Sequence, residues 1–150
     1  MSWVDVYRRE GRLEGRCLCG AVEIVVDGKH IAAIGACHCA MCQRWSGTVY
    51  GAFNAAPEAV TITGEVTRYR SSDFSERAFC PRCGSHLWLR SDGDDYEFLP
   101  GLFQAAADFP LISEIYIDKA PAHMRLSGDH RTKTRAEYEA DNPFVEGDDP

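Results

Sequence analysis

Hydrophobic and polar residues alternate along much of this chain with a period of two, the repeat of a strand and not of a helix. The clearest case is Ala21-Val22-Glu23-Ile24-Val25-Val26, which with residues 11–17 predicts a hairpin turning at Leu18-Cys19-Gly20. Residues 30–36 predict a third strand. Val49 to Phe53 and Val60 to Ile62 predict two more, punctuated by Asn54, Pro57 and Gly64. Val66 to Arg70 alternates again. Leu87-Trp88-Leu89, Tyr96-Glu97-Phe98-Leu99 and Ile115-Tyr116-Ile117 bring the expected set to about eight to ten short strands. Residues 91–95 predict a turn, Ala105 to Asp108 a helical turn before Pro110, and polar residues 129–140 a short surface helix. The tail from Asp141 is acidic, holds Pro143 and Pro150, lacks core residues and is expected to be disordered. The expected fold class is therefore all-β: one domain over residues 1–126, then a polar extension over 127–150.

Composition narrows the function classes. A chain of 150 residues with 45% hydrophobic and 26% charged residues can bury a single core. Its formal net charge of −7 repels phosphate backbones, so nucleic-acid binding is not expected. No stretch is apolar and long enough to span a membrane, and the first ten residues lack the apolar middle of a signal peptide. A cytoplasmic, reducing location is expected, where thiols serve as metal ligands more often than as disulfides. Exposed β edges leave room for a homodimer.

The cysteines change the picture most. All seven fall into metal-ligand spacings: Cys17-x-Cys19, Cys37-x-Cys39-x-x-Cys42 and Cys80-x-x-Cys83. Phe79-Cys80-Pro81-Arg82-Cys83-Gly84 has the form of a zinc knuckle. Pro81 fixes the backbone after the first thiol, and Gly84 permits the left-handed turn that aims N–H groups at a sulfur. Cys17 and Cys19, two apart on a strand end, face one side and can complete a four-thiolate site. That site would be structural. The alternative is two unrelated pairs of buried cysteines.

Three cysteines then remain within six residues, Cys37 to Cys42. Cys37 and Cys39 share a strand face, and Cys42 returns after a one-turn bend. Four thiolates saturate a zinc ion, whereas three leave a position open for chemistry. In an extended strand His38 points away from its neighbours, which suits a hydrogen bond behind the site or packing better than ligation. His86, His123 and His130 are the other histidines that could supply a fourth ligand. Three thiolates on a dication make a poor activator of water, which argues against hydrolysis and favours a soft ligand such as a thiol, or a modest push on an aldehyde oxygen. An iron–sulfur cluster is the competing use of such a triplet, but it wants four cysteines.

Gly15-Arg16-Cys17-Leu18-Cys19-Gly20-Ala21-Val22, Cys37-His38-Cys39 with Cys42-Gln43-Arg44-Trp45-Ser46-Gly47, and Arg77-Ala78-Phe79-Cys80-Pro81-Arg82-Cys83-Gly84-Ser85 together resemble the glutathione-dependent formaldehyde-activating family, which includes centromere protein V. The resemblance runs from about residue 12 to about residue 118. It implies a β-tent fold stapled by zinc, with two zinc ions per chain. One would be structural, on Cys17, Cys19, Cys80 and Cys83; the other catalytic, on Cys37, Cys39 and Cys42. It also implies addition of glutathione to formaldehyde, a carbon–sulfur lyase activity. The chain departs from the family pattern at Gly101-Leu102-Phe103-Gln104, where Gly-Thr-Leu-Asp is common. It departs again at Glu114-Ile115, where His-Ile is common, and after Ala120-Pro121, where a tryptophan is absent.

Two functions follow as expectations. The first is a zinc-dependent enzyme acting on a thiol–aldehyde adduct, with a small thiol or aldehyde, such as glutathione, as its partner. Arg44, Trp45, Ser46 and Gly47 would wall the substrate pocket: Trp45 as an apolar face or simply core, Arg44 as a carboxylate partner or a solvated charge. Arg44, Arg68, Arg70 and Arg82 are candidates for a patch attracting an anionic thiol, and Arg77 either offsets thiolate charge or lies exposed. The second is a non-catalytic zinc-stapled binding module, in which the triplet is saturated by the chain itself.

Overall fold

The computed structural model describes residues 2–145. Residues 146–150, the end of the expected disordered tail, lie outside the described residues. Among the described residues the chain is mostly β. The strands are β1 (Arg8–Arg16), β2 (Glu23–Ile31), β3 (Ile34–Cys37), β4 (Tyr50–Ala55), β5 (Val60–Thr63), β6 (Thr67–Arg70), β7 (Ser75–Phe79), β8 (His86–Ser91), β9 (Tyr96–Phe98), β10 (Leu111–Ile115) and β11 (Arg131–Lys133). The α-helices are α1 (Ala40–Ser46) and α2 (Arg135–Asp141). Among the described residues no helix is long and apolar enough to cross a membrane. The residues form two compact units, Met1–Ala33 with Ala52–Phe109, and Ile34–Gly51 with Pro110–Pro150.

In the first unit β1 and β2 form the expected hairpin, in register from Arg8↔Ile31 to Arg16↔Glu23. Val22, Ile24 and Val26 are buried, as the alternation requires. β5 pairs with β2 at Ile24↔Ile62. β6, β7, β8 and β9 follow as an antiparallel meander, through Tyr69↔Arg77, Ala78↔Trp88 and Trp88↔Phe98. The Phe53 end of β4 pairs with β9 at Phe53↔Phe98. Trp88, Phe53, Phe98 and Phe103 are fully buried, with Phe53 edge-on to Phe103 at 5.1 Å and to Phe109 at 5.4 Å. Each such side chain contributes about 1.5–3 kcal/mol by leaving water. At Gly64, with φ of 104°, a Cβ would lie 2.0 Å from the Ala21 carbonyl oxygen. That close approach seats the end of β5 against the residues that follow the turn carrying Cys17 and Cys19.

In the second unit β10 lies parallel to both β3 and β11. Ile115 is in register with Cys37, so β10 sets the strand that bears the cysteine triplet.

Several elements differ from the sequence reading. The strand expected at 30–36 is two: Ala32 N–H bonds to Tyr7 O, Ile34 N–H to Pro110 O, and the backbone changes partner between them. β7 was not expected, because its buried Ser75 and Arg77 break the apolar alternation. The strand expected at Ile115–Ile117 ends at Ile115 instead, because Tyr116 adopts φ of 56° and starts a 3-10 turn, Ile117–Lys119. The polar stretch 129–140 is a strand, β11, and then a helix, α2.

Candidate functional site

The first unit holds a four-sulfur group. The sulfurs of Cys17, Cys19, Cys80 and Cys83 all lie within 4.8 Å of one another. The knuckle closes as its sequence requires: Gly84 has φ of 77°, and its N–H donates to Cys80 O at 2.9 Å. On the other half Gly20, at φ of 80°, donates to Cys17 O, and the Val22 N–H points at Cys17 Sγ at 3.3 Å. Hydrogen bonds from the Ser85 hydroxyl, then from the Ser85 and Cys19 backbones, draw the Cys83 thiol down to about 5 against the opposing effect of burial. Backbone and hydroxyl donors aimed at sulfurs stabilise thiolates, the form that binds a metal.

The second unit brings Cys37, Cys39 and Cys42 together, again with sulfurs within 4.8 Å. The one-turn bend expected before Cys42 is a helix, α1. Cys39 is its N-cap, its sulfur accepting the Cys42 N–H at 3.3 Å in place of the usual hydroxyl or carboxylate. Gly47 ends the helix at φ of 78°, its N–H on Gln43 O, and Ser46 Oγ donates to Cys42 O at 2.8 Å. The Cys37 thiol is pushed well above its ordinary value, first by the Cys39 and Cys42 sulfurs and then by burial. Three thiolates so close repel one another unless a cation sits among them. The donor set therefore fits a soft dication, and both cysteine groups could hold a metal ion. Within this unit no fourth protein donor joins the three sulfurs among the described residues.

His38 behaves as expected for a residue behind the site. It is 0% exposed, and its Nε2 donates to Glu114 Oε1 at 2.6 Å. The other oxygen, Oε2, accepts from His130 Nε2 at 2.5 Å. Burial would raise the Glu114 carboxyl, but the hydrogen bonds from His130 and His38 outweigh it and hold the group low and ionised.

Ala40, Gln43 and Arg44 of α1 line an open cleft of about 550 Å³ together with Asp118 and Lys119. Gln43 Nε2 donates to His38 O at 2.6 Å and to Lys119 O at 3.1 Å, tying α1 to the segment that holds Lys119. Of the expected pocket residues Arg44 lines this cleft. Trp45 packs against Tyr50, with ring centroids 5.9 Å apart, while Ser46 and Gly47 cap the helix. Arg68 and Arg70 are engaged in the first unit by Glu76 and Asp92. Arg77 is 5% exposed, so the exposed alternative for it falls. The sequence reading missed Gln43, Asp118, Lys119 and the role of His130. Glu114 stood out only as a departure from the family pattern.

The chain matches the family described as glutathione-dependent formaldehyde-activating enzyme over residues 12–119. It is similar to a Schizosaccharomyces pombe protein described as an uncharacterized lyase, with 31% identity over 72% of this chain and 80% of that protein. A Halomonas elongata protein assigned by name to glutathione-dependent formaldehyde activation is 33% identical over 51% of this chain and 55% of its own length. A crystal structure of a Rhodobacter sphaeroides protein shares the fold at a TM-score of 0.52, covering 65% of this chain and 98% of that one at 23% identity.

Proposed function

The chain belongs to the glutathione-dependent formaldehyde-activating family, and from that premise we propose that it is a zinc-dependent enzyme of carbon–sulfur lyase type, joining a small thiol to a small aldehyde. Glutathione and formaldehyde, the pair in the family's description, are the first substrates to test. In this proposal Cys17, Cys19, Cys80 and Cys83 hold a structural zinc, and Cys37, Cys39 and Cys42 a catalytic one. The observation that carries it is the incomplete sulfur group: three converging thiols with no fourth protein donor in their unit among the described residues, one of them, Cys42, on the helix whose Ala40, Gln43 and Arg44 line a cleft. The competing reading, a non-catalytic zinc-stapled binding module, needs that fourth donor.

Zinc on three thiolates would hold a substrate thiol as its thiolate while activating water poorly. The rest falls to the chain. Arg44 and Lys119 pair with the carboxylates of an acidic thiol and orient it in the cleft. Trp45, Ser46 and Gly47 shape the helix end that presents Arg44. Holding both reactants raises their effective concentration. The thiolate sulfur gives its electron pair to the carbonyl carbon, and the S–C bond forms as the C=O π pair moves to oxygen. That oxygen takes up the proton the thiol lost, so no oxidant or reductant is needed. All seven cysteines are unbridged, which supports a reducing, cytoplasmic setting.

Adduct exchange between glutathione and formaldehyde, followed by NMR, tests the proposal. Exchange faster than in buffer supports it. A rate equal to the uncatalysed one sinks the glutathione assignment and leaves other thiols and aldehydes to be screened the same way.

A further inference from the structure

We infer that the buried chain His38–Glu114–His130 is the positioning device of the three-sulfur centre, and that it makes the segment beyond residue 119 part of that centre. The inference rests on the reading of Cys37, Cys39 and Cys42 as a metal centre.

His38 stands between two of the three cysteines and is held at each end. Its N–H donates to Ile115 O at 3.1 Å, its carbonyl accepts Gln43 Nε2 at 2.6 Å, and its ring donates to Glu114 at 2.6 Å. Cys37 and Cys39 flank it, so the direction of their side chains follows from where His38 is pinned. Cys42 belongs to α1, and Gln43 of the same helix makes the bond to the His38 carbonyl. The three sulfurs are thereby referred to one fixed residue.

That residue is only as fixed as Glu114. The Glu114 side chain is 3% exposed and the His130 side chain 4%. A buried carboxylate with one oxygen unpaired is costly, so without His130 the group would turn toward water or another donor and release His38. Each ring turns its Nε2 to one oxygen of Glu114, and because a carboxylate oxygen accepts, Nε2–H is the donor in both bonds. The family match ends at residue 119, and His130 follows it. The last partner in the clamp therefore comes from the chain's own C-terminal segment, just before β11.

The experiment is a Co(II) titration of the full-length chain against a competing chelator, with absorption spectra, for wild type, Glu114→Gln, His130→Ala and His130→Gln. The four-sulfur group is the internal fold control. The expected result is a loss of about 10–100-fold in affinity at the three-sulfur group for Glu114→Gln and His130→Ala, with an altered ligand-field band. The four-sulfur group keeps its affinity and spectrum. His130→Gln, whose amide nitrogen can take the place of Nε2, recovers most of the loss. Unchanged cobalt affinity and spectrum at the three-sulfur group, with only a lower Tm, overturns the inference and leaves the clamp a core contact. If wild type binds cobalt at the four-sulfur group alone, the metal-centre reading falls and the inference with it. Should Glu114→Gln fail to fold, the comparison of the two His130 variants decides alone.

Discussion

The Leu18 backbone N–H donates to Ser85 Oγ at 3.0 Å, across 67 residues of chain. Leu18 lies between Cys17 and Cys19, and the Ser85 hydroxyl is 3.2 Å from Cys83 Sγ. One hydroxyl thus ties both halves of the four-sulfur group, accepting from the hairpin turn and donating to a thiolate of the knuckle. The Leu18 side chain is 83% exposed, so burial of that residue does not make the tie. Ser85→Ala is expected to lower stability by about 1–2 kcal/mol and to speed removal of the metal by a chelator. Urea melts with and without chelator check this, and an unchanged stripping rate would assign the tie elsewhere.

The two sulfur groups should differ in what their loss does. The four-sulfur group joins the β1–β2 turn to the β7–β8 turn, so its binding energy is folding energy. Cys80→Ser is expected to cost several kcal/mol. Cys37 lies on a strand already held by β10, and Cys37→Ser is expected to cost only about 1–2 kcal/mol while abolishing adduct exchange. Thermal melts and NMR exchange on both variants check the contrast. Equal melting temperatures would favour the saturated binding module.

The cysteine framework was legible because ligand spacing is a local code, readable before any fold is known. The hairpin and the Trp88 strand were legible for a similar reason: one buried face writes itself into the sequence with a period of two. The helix α1 was not, because its N-cap is a cysteine that also belongs to a metal motif, and seven residues give little periodicity. The end of β10 was hidden because Tyr116 is an aromatic residue in a left-handed conformation, which no sequence signal announces. Its ring packs on Tyr138 of α2, and its hydroxyl donates to Glu139. Lys119 was illegible as a site residue, and His130, one of three histidines offered as a possible ligand, was illegible as the partner of Glu114, because each is a lone polar residue brought into place by pairing that is remote in sequence.

Glu97 should make the first unit pH-sensitive. It is in register with Leu89, which is in register with Arg77. Burial pushes its carboxyl up to about 7; Arg77 pulls it down, and Asp94 and Asp95 push it further up. The folded state holds this proton more tightly than the unfolded chain, where the ordinary value is 4.5. Its stabilising contribution is therefore complete below about 4.5 and is lost as pH rises through about 7. Glu97→Gln is expected to flatten that slope and to stabilise the protein at pH above 7 by something on the order of 1–3 kcal/mol, toward the lower end for a half-buried group. The difference between wild-type and variant urea melts across that range isolates the carboxyl, and parallel curves would remove it from the account.

The cleft makes the most direct statement about substrate. Arg44 and Lys119 both line it, beside Asp118, on a chain whose formal net charge is −7. Such a chain does not attract an anionic thiol from a distance, so local cations must do so. Lys119 contributes its backbone carbonyl to Gln43, a bond that truncating its side chain leaves in place. Arg44→Ala and Lys119→Ala are therefore expected to keep Tm and kcat close to wild type and to raise KM for a dicarboxylate thiol about tenfold each, or ~1.4 kcal/mol. A thiol with its carboxylates amidated should bind wild type and both variants alike, and added salt should weaken only the charged substrate. Steady-state kinetics with the two thiols at low and high ionic strength check this. An equal KM increase for both would mean that the residues shape the cleft and do not read charge.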